Sequence, residues 1–320
     1  MSTQTKPRIF IDGQAGTTGL QIAQRLAARD DLEVLVIAEE ERKSEQARAA
    51  LMERSDLTLL CLPDSAVPAA VALASARCRV LDASSVHRTA TGWVYGLPEL
   101  GDEQRQAIAG AERVSNPGCY PQGFILLLRP LLEAGWIDAN TPRSMHAASG
   151  YSGGGRTLIE RYQSFSDTQA EAYAVCSYAL GLSHKHVPEM QHYCGLTWPP
   201  LFSPSVGNYY QGMLDHVPVH SSELRGGQSL ADVESLLVQT YSHEPFVRVV
   251  LNAAETATND GFLDPSACNH SNMIELMVFG NEDQLLLVAR YDNLGKGAAG
   301  CAVQNLNLML GFAETAGLQQ

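Results

Sequence analysis

Arg8-Ile9-Phe10-Ile11-Asp12-Gly13-Gln14-Ala15-Gly16-Thr17-Thr18-Gly19 is the stretch on which the fold of this chain turns. Its apolar opening predicts a short strand, and a helical pattern runs from Leu20-Gln21-Ile22 through Leu26 to Arg29. A strand, a glycine turn and a helix in that order are the context in which a glycine-rich loop binds phosphate. Gly13 permits the tight turn, Gly16 lets backbone approach a pyrophosphate, and Gly19 lets helix and strand pack closely. The helix N-terminus then holds the phosphates. Gly13, Gln14, Ala15, Gly16, Thr17, Thr18 and Gly19 are thus candidate contacts for a dinucleotide. The spacing is G-x-x-G-x-x-G where the usual motif has G-x-G-x-x-G, so the loop needs support from the segments C-terminal to it.

That support comes from alternation. Glu33 to Ile37, Asp56 to Leu62 and Arg79 to Asp82 read as strands, and Ala66 to Ala76 as a helix. Strands alternating with helices imply an α/β domain with a Rossmann-type, doubly wound parallel sheet. Cys61, within Leu59-Leu60-Cys61-Leu62, reads as strand core. Glu39 stands where an acid would bind the ribose 2′-OH of NAD, whereas Arg42 and Lys43 suit the 2′-phosphate of NADP. The residues alone leave that choice open.

The chain has 320 residues, 45% of them hydrophobic and 18% charged, which describes a globular protein of two domains. Its net charge is −13 and it has no Lys/Arg block, which argues against a nucleic-acid or membrane partner. The seven cysteines are scattered without a C-x-x-C pair and read as reduced thiols. Met1 to Lys6 is polar, and no apolar run is long enough for a membrane span, so the expectation is a soluble cytoplasmic protein.

Asn116-Pro117-Gly118-Cys119-Tyr120-Pro121 is the second decisive stretch, followed by an apolar run from Phe124 to Leu132 that reads as a helix. Proline is tolerated in a first helical turn, so Cys119 is expected at or just ahead of a helix N-terminus. Unpaired N–H groups and the positive end of the helix dipole lower a thiol pKa from about 8.5 into the range of about 3.5–7.5. That is the setting of a nucleophile, weighed against the small buried hydrophobe that most free cysteines are. Beyond it, Val206 to Pro218, Val247 to Leu251, Met273 to Val278 and Leu285 to Ala289 read as strands and Ser229 to Thr240 as an amphipathic helix. This is an α+β catalytic domain with a sheet face available for dimerisation.

Further segments fall into one order. They are DGQAGTTG (Asp12 to Gly19), Cys61-Leu62-Pro63-Asp64, Asp82-Ala83-Ser84-Ser85-Val86-His87-Arg88 and Tyr95-Gly96-Leu97-Pro98-Glu99-Leu100. SNPGCYP (Ser115 to Pro121), GYSGGGR (Gly150 to Arg156), His184-Lys185-His186-Val187-Pro188-Glu189, DNLGKG (Asp292 to Gly297) and Ala302-Val303-Gln304-Asn305 come after them. Together they resemble the shorter form of the N-acetyl-γ-glutamyl-phosphate reductases, relatives of aspartate-semialdehyde dehydrogenase, over nearly the whole chain. Asn269-His270-Ser271-Asn272 departs from the family, which more often has Gly-Thr-Asn there.

The resemblance implies NADPH-dependent reduction of an acyl phosphate to N-acetyl-glutamate 5-semialdehyde, in arginine biosynthesis, and so tips the cofactor to NADP. It implies an NADP-binding domain over 1–115, a catalytic and dimerisation domain over 116–294, and a closing segment, 295–320, whose helix returns to the nucleotide domain. A homodimer or homotetramer is the implied assembly. Cys119 is then the nucleophile that traps the acyl group as a thioester. His186 is preferred as acid/base over His184, with Glu189 orienting a ring or contacting substrate. No third ligand at useful spacing makes His184 and His186 a metal site. The substrate carries a phosphate and an α-carboxylate. Arg88, with Ser84 and Ser85, is the candidate phosphate site, Arg156 the candidate for the carboxylate, and Asn116 a further candidate substrate contact. Gly297 and Asn305 are candidate cofactor contacts, and the glycine-rich start from Gly295 to Gly300 is expected close to the nicotinamide. The competing readings are a related acyl phosphate (aspartyl phosphate or a longer acetylated homologue), a non-catalytic dinucleotide-binding regulator, and a Cys-His hydrolase.

Overall fold

The computed structural model describes residues 6–75 and 78–320. Met1 to Thr5, in the polar opening segment, and Ala76, the end of the expected 66–76 helix, lie outside the described residues. The chain forms two compact units, the first running to Pro117 and taking in Ala298–Leu318, the second comprising Gly118–Gly297 and the last two residues. Asn116 therefore belongs to the first unit and Gly297 to the second.

In the first unit, β1 (Arg8–Asp12), β2 (Glu33–Leu35), β3 (Leu57–Leu60), β4 (Arg79–Asp82), β5 (Val94–Tyr95) and β6 (Arg113–Ser115) form one parallel sheet. Its order is β2-β1-β3-β4-β6-β5. Helices α1 (Thr17–Ala27), α2 (Glu45–Arg54), α3 (Val67–Leu73) and α4 (Asp102–Gly110) lie between strands, as parallel pairing requires. The sheet is buried on both faces, and the period of two shows in its two cores. Ile9, Ile11, Leu57, Leu59 and Leu81 share one core, while Phe10, Leu60 and Val80 point into the other. Strand order reverses between β1 and β3, so the ligand crevice of such a sheet opens at the end of β1, where the glycine loop starts.

Several boundaries differ from the sequence expectation. The α1 helix starts at Thr17 rather than Leu20, because Gly16 is the extended N-cap residue. The β2 strand stops at Leu35, leaving Val36 exposed, and β3 stops at Leu60. Cys61 is therefore a half-buried loop residue and not strand core. The expected 66–76 helix is a 3-10 turn, Asp64–Ala66, followed by the short α3 with Pro68 in its first turn.

The second unit holds α5 (Cys119–Glu133), β7 (Ser144–Gly150), α6 (Gly155–Gln163), α7 (Asp167–Ala172), β8 (Val175–Ser177), α8 (Val187–Cys194) and β9 (Leu201–Gly207). Then come β10 (Met213–His220), α9 (Leu230–Tyr241), β11 (Val247–Val250), α10 (Ala253–Thr256), β12 (Ile274–Gly280) and β13 (Gln284–Tyr291). Its mixed sheet runs β11-β12-β13-β10-β7-β9-β8. The expected single strand from Val206 to Pro218 is two strands, β9 and β10, broken at Gly212, whose φ is +109°. The α5 helix is buried along almost its whole length and contains Pro130, which has no N–H for the Leu126 carbonyl one turn back. The Tyr241 hydroxyl of α9 donates to that carbonyl instead, at 2.8 Å.

After β13 a single π-helical turn, Gly295–Ala299, leads into α11 (Gly300–Leu310). Ala302, Val303, Leu306 and Met309 of α11 join the first unit's core beside Ile9 and Ile11. Among the described residues, no helix is long and apolar enough to cross a membrane.

Candidate active site

The glycine loop of the first unit is built by backbone contacts. Gly13 has φ +93°, and a Cβ there would lie 2.8 Å from the Cys61 carbonyl carbon. Its own carbonyl accepts the Gly16 N–H at 3.0 Å, closing the turn. A Cβ on Gly19 would lie 2.5 Å from the Gly13 oxygen and 2.9 Å from the Gln14 Cα. Gly19 thus lets α1 sit against its own loop, not against a strand as expected. Around Gly16 the nearest atom to a Cβ is 3.5 Å away, and the first turn of α1 has no acid. Ala15 and Gly16 are exposed and Gln14, Thr17 and Thr18 half-buried, so the open N-terminus suits an anion. The loop fits a dinucleotide pyrophosphate.

Sequence reading missed what anchors this loop. Arg48 of α2 forks onto the buried Asp12 carboxylate, with Nη2 at 2.6 Å and Nε at 3.1 Å from Oδ2. The two residues stand 36 positions apart, and no local pattern joins them. Arg42 and Lys43 are exposed just ahead of Ser44, which N-caps α2. The Arg42 guanidinium lies 3.6 Å from Glu39, so the two residues that pointed to different cofactors are an ion pair.

At the end of β4, the fully buried Asp82 carboxylate accepts the Ser84 N–H at 2.9 Å and the Ser84 hydroxyl at 2.7 Å. His87 Nδ1 sits 2.7 Å from the same carboxylate, with its ring stacked on Trp93. The Ser85 hydroxyl donates to Asp64 at 2.5 Å. Both serine hydroxyls thus donate to carboxylates, Ser84 to Asp82 and Ser85 to Asp64. Arg88 is buried, and its Nε donates to the Asn116 carbonyl at 3.0 Å. The Asn116 amide donates to Ala298 O at 3.2 Å, and its Oδ1 accepts from Asn305 Nδ2 at 3.1 Å. Asn305 also donates to Gly96 O at 2.8 Å, while its buried Oδ1 has no hydrogen-bond partner among the described residues.

In the second unit, Cys119 is the first residue of α5, with Gly118 as extended N-cap. All seven cysteines are outside disulfides, and Cys119 is half-buried. Glu189 of α8 is buried, and its Oε2 accepts the Gly118 N–H at 3.0 Å. His186 is the N-cap of α8 and is buried; its N–H donates to His184 Nδ1 at 3.2 Å. The two imidazoles lie 4.6 Å apart, and the Tyr120 ring is 6.0 Å from His184 and 5.8 Å from His186. The residues flanking Cys119 thus meet Glu189 on one side and both histidines on the other. A Cβ on Gly297 would lie 3.2 Å from the Cys119 Cβ, so this glycine lets the chain pass close beside the residue bearing the thiol.

Arg156 is not gathered into this cluster by any of its own bonds. It is the second residue of α6, is exposed, and pairs with Glu160 one turn on at 2.7 Å. The 150–155 loop before it packs on the 208–212 turn, where the Tyr151 N–H donates to Tyr209 O at 2.9 Å. Burial, with the Asp82 and Asp12 carboxylates nearby, pushes the Cys61 thiol up to about 12, the opposite of a nucleophile.

Residues 8–109 match the family model "Semialdehyde dehydrogenase, NAD binding domain", and residues 119–293 match "Semialdehyde dehydrogenase, dimerisation domain". Aspartate semialdehyde dehydrogenase II from Vibrio cholerae has a similar fold (TM-score 0.69, 15% identity, covering 96% of this chain and 99% of that one). The enzyme from Francisella tularensis is similar too (TM-score 0.70, 13% identity, 95% and 100%). N-acetyl-gamma-glutamyl-phosphate reductase 2 of Nostoc sp. is 49% identical over 98% of this chain and 99% of its own length. The protein of that name from Pseudomonas putida is 48% identical over 97% and 99%. At such identity over almost the full length, this chain belongs to the N-acetyl-gamma-glutamyl-phosphate reductase family.

Proposed function

We propose that this chain reduces N-acetyl-L-glutamyl 5-phosphate to N-acetyl-L-glutamate 5-semialdehyde with NADPH, releasing phosphate, in arginine biosynthesis, and that Cys119 is its nucleophile. The observation that carries the reading is the start of α5, where a half-buried thiol opens a long helix and Glu189 binds the N–H just before it. The positive end of a helix favours thiolate over thiol.

The Cys119 thiolate attacks the acyl carbonyl and expels phosphate, leaving a thioester that is electrophilic at carbon. The bound cofactor supplies a hydride to that carbon. His186, or His184 beside it, gives a proton to the resulting oxyanion and takes it back as the hemithioacetal collapses to aldehyde and thiolate. Glu189 fixes the backbone from which the thiol projects. The Gly13–Gly19 loop is the pyrophosphate site, and Arg42 and Lys43 serve the 2′-phosphate. Asn305 Oδ1, one of the buried oxygens of the first unit, is the acceptor for the cofactor's amide. Arg88 and Asn116 shape the phosphate site through the loops they brace, and the exposed Arg156 is the candidate for the substrate's α-carboxylate. The second unit carries self-association, to a homodimer or homotetramer, a reading supported by its match to a dimerisation-domain model.

The reverse reaction tests this. With N-acetyl-glutamate semialdehyde the protein should reduce NADP only when phosphate or arsenate is present. Turnover without either anion refutes the acyl-phosphate mechanism, and preference for aspartate semialdehyde moves the substrate. Cys119→Ser should bind NADP normally yet lose turnover by orders of magnitude; undiminished turnover ends the nucleophile assignment.

A further inference from the structure

Behind the start of α5 lies a polar cluster to which this reaction gives no role. Tyr291, at the end of β13, is fully buried. Its Oη meets the Cys119 carbonyl oxygen at 2.6 Å, Asp215 Oδ2 at 2.5 Å and the Gly123 nitrogen at 3.3 Å. A hydroxyl has one proton to donate and two lone pairs to accept with. The Cys119 carbonyl brings no proton, so the tyrosine proton goes there. The Gly123 N–H takes one lone pair. The remaining contact, to Asp215, then needs a proton from the carboxyl. With an ionised Asp215 one proton would have to serve two acceptors, and one close pair of oxygens would face each other with nothing between them.

The surroundings agree with this count. Asp215 is 0% exposed. Its Oδ1 makes no hydrogen bond among the described residues, and no arginine or lysine pairs with it there. An ionised carboxylate in such a place would lose its hydration without compensation. Tyr291 from β13 is the hydrogen-bond partner of Asp215, Tyr120 of α5 and Tyr178 beyond β8 are within electrostatic reach with their hydroxyls 2.8 Å apart, and the rings of His184 and His186 lie against Tyr120. The group bonded to Asp215 is itself an acid, and the histidines meet Tyr120 and Tyr178 rather than the Asp215 carboxyl. Burial accordingly pushes the Asp215 carboxyl well above the usual carboxylate range. Gly123 lets α5 come this close, since a Cβ there would lie 3.1 Å from the Asp215 Cγ and 2.9 Å from the Ala289 Cβ.

We infer that Asp215 is a positioning residue, a neutral carboxylic acid that donates to Tyr291, which in turn donates to the Cys119 carbonyl. The relay holds the residue bearing the thiol while placing no negative charge beside the thiolate. Its link to turnover rests on the reading of Cys119 as nucleophile; the proton count does not.

Infrared difference spectra of protein labelled with 13C-aspartate, wild type minus Asp215→Asn at about pH 8, should contain a protonated-carboxyl C=O band. Its absence overturns the inference. The pH profile of Cys119 alkylation by iodoacetamide, read on the Cys119 peptide by mass spectrometry, is the second measurement. Asp215→Asn can donate the same hydrogen bond and removes no charge from a neutral acid, so its midpoint should stay within about 0.3 of wild type. A midpoint lowered by about one unit or more would mean that an anion had been removed, and overturns it. Asp215→Ala should lose about ten-fold or more in kcat, most of it recovered in Asp215→Asn. Wild-type kcat in Asp215→Ala, or an Asp215→Asn that melts normally and is no better than Asp215→Ala, ends the positioning role. The infrared and alkylation readouts need no turnover, so their failure is distinguishable from failure of Cys119→Ser to lose activity.

Discussion

Arg48→Ala should unseat the nucleotide loop, and the size of the effect can be worked from burial. Asp12 ends β1 and directly precedes Gly13; its side chain is 5% exposed and that of Arg48 13%. The guanidinium fork meets both carboxylate oxygens within 3.1 Å, so the pair is charge-assisted and largely out of water. Removing one member of such a pair leaves the other buried without compensation, which costs about 3–5 kcal/mol when both are fully buried. The residual exposure of Arg48 brings the expected loss to the lower end, about 3 kcal/mol. That corresponds to a fall in Tm of about 6–12 °C for a unit of this size. Arg48→Lys keeps the charge but not the fork and should recover only part. Asp12→Asn combined with Arg48→Met removes the stranded charge and should be more stable than Arg48→Ala alone. Calorimetry with NADPH titration checks both consequences, since a loosened Gly13 turn should also weaken cofactor binding. If Arg48→Ala melts within a degree of wild type and binds NADPH equally well, the pair does not anchor the loop.

Three further outcomes are set by the packing. Gly19→Ala sets a Cβ 2.5 Å from the Gly13 carbonyl oxygen, backbone against backbone. It should cost about 1–3 kcal/mol and weaken NADPH binding at least ten-fold by titration calorimetry. Tyr241→Phe strips the Leu126 carbonyl of the hydroxyl that stands in for the missing N–H of Pro130. It should lose about 1–3 kcal/mol in denaturant unfolding, and Pro130→Ala in the same chain should return part of it. Alkaline stability is the third. Burial pushes the thiols of Cys61 and Cys268 up to about 12. A raised folded pKa gives stability that is complete below the ordinary thiol value and lost as pH climbs toward 12, because only the unfolded thiols ionise in that window. Stability should therefore fall from about pH 9 upward, and less steeply in Cys61→Ala.

The doubly wound sheet was legible because its signals are local and periodic. Ile9-Phe10-Ile11 alternates between two cores, and Gly13, Gly16 and Gly19 punctuate the chain where strand passes to helix. The start of α5 was legible for the same reason, since Pro121 and Gly118 act on their own backbone within one turn. The segment from Val206 to Pro218 was not. Its apolar pattern continues through a turn that exists because the 150–152 loop hydrogen-bonds to it. Whether donors such as Ser84, Ser85 and Arg88 are open depends on what faces them. Here Asp82, Asp64 and the Asn116 carbonyl do.

By itself, then, the sequence determined that a glycine loop comes after the first strand and that a thiol opens a helix, since φ/ψ preference, capping and periodicity need only neighbours along the chain. Only the tertiary structure decided that Arg48 holds Asp12, that Glu189 holds the N–H before Cys119, and that Tyr291 and Asp215 stand behind its carbonyl. Those partners lie between 36 and 172 residues apart. They meet because the apolar faces of strands and helices bring them together, and burial then makes each of their hydrogen bonds obligatory.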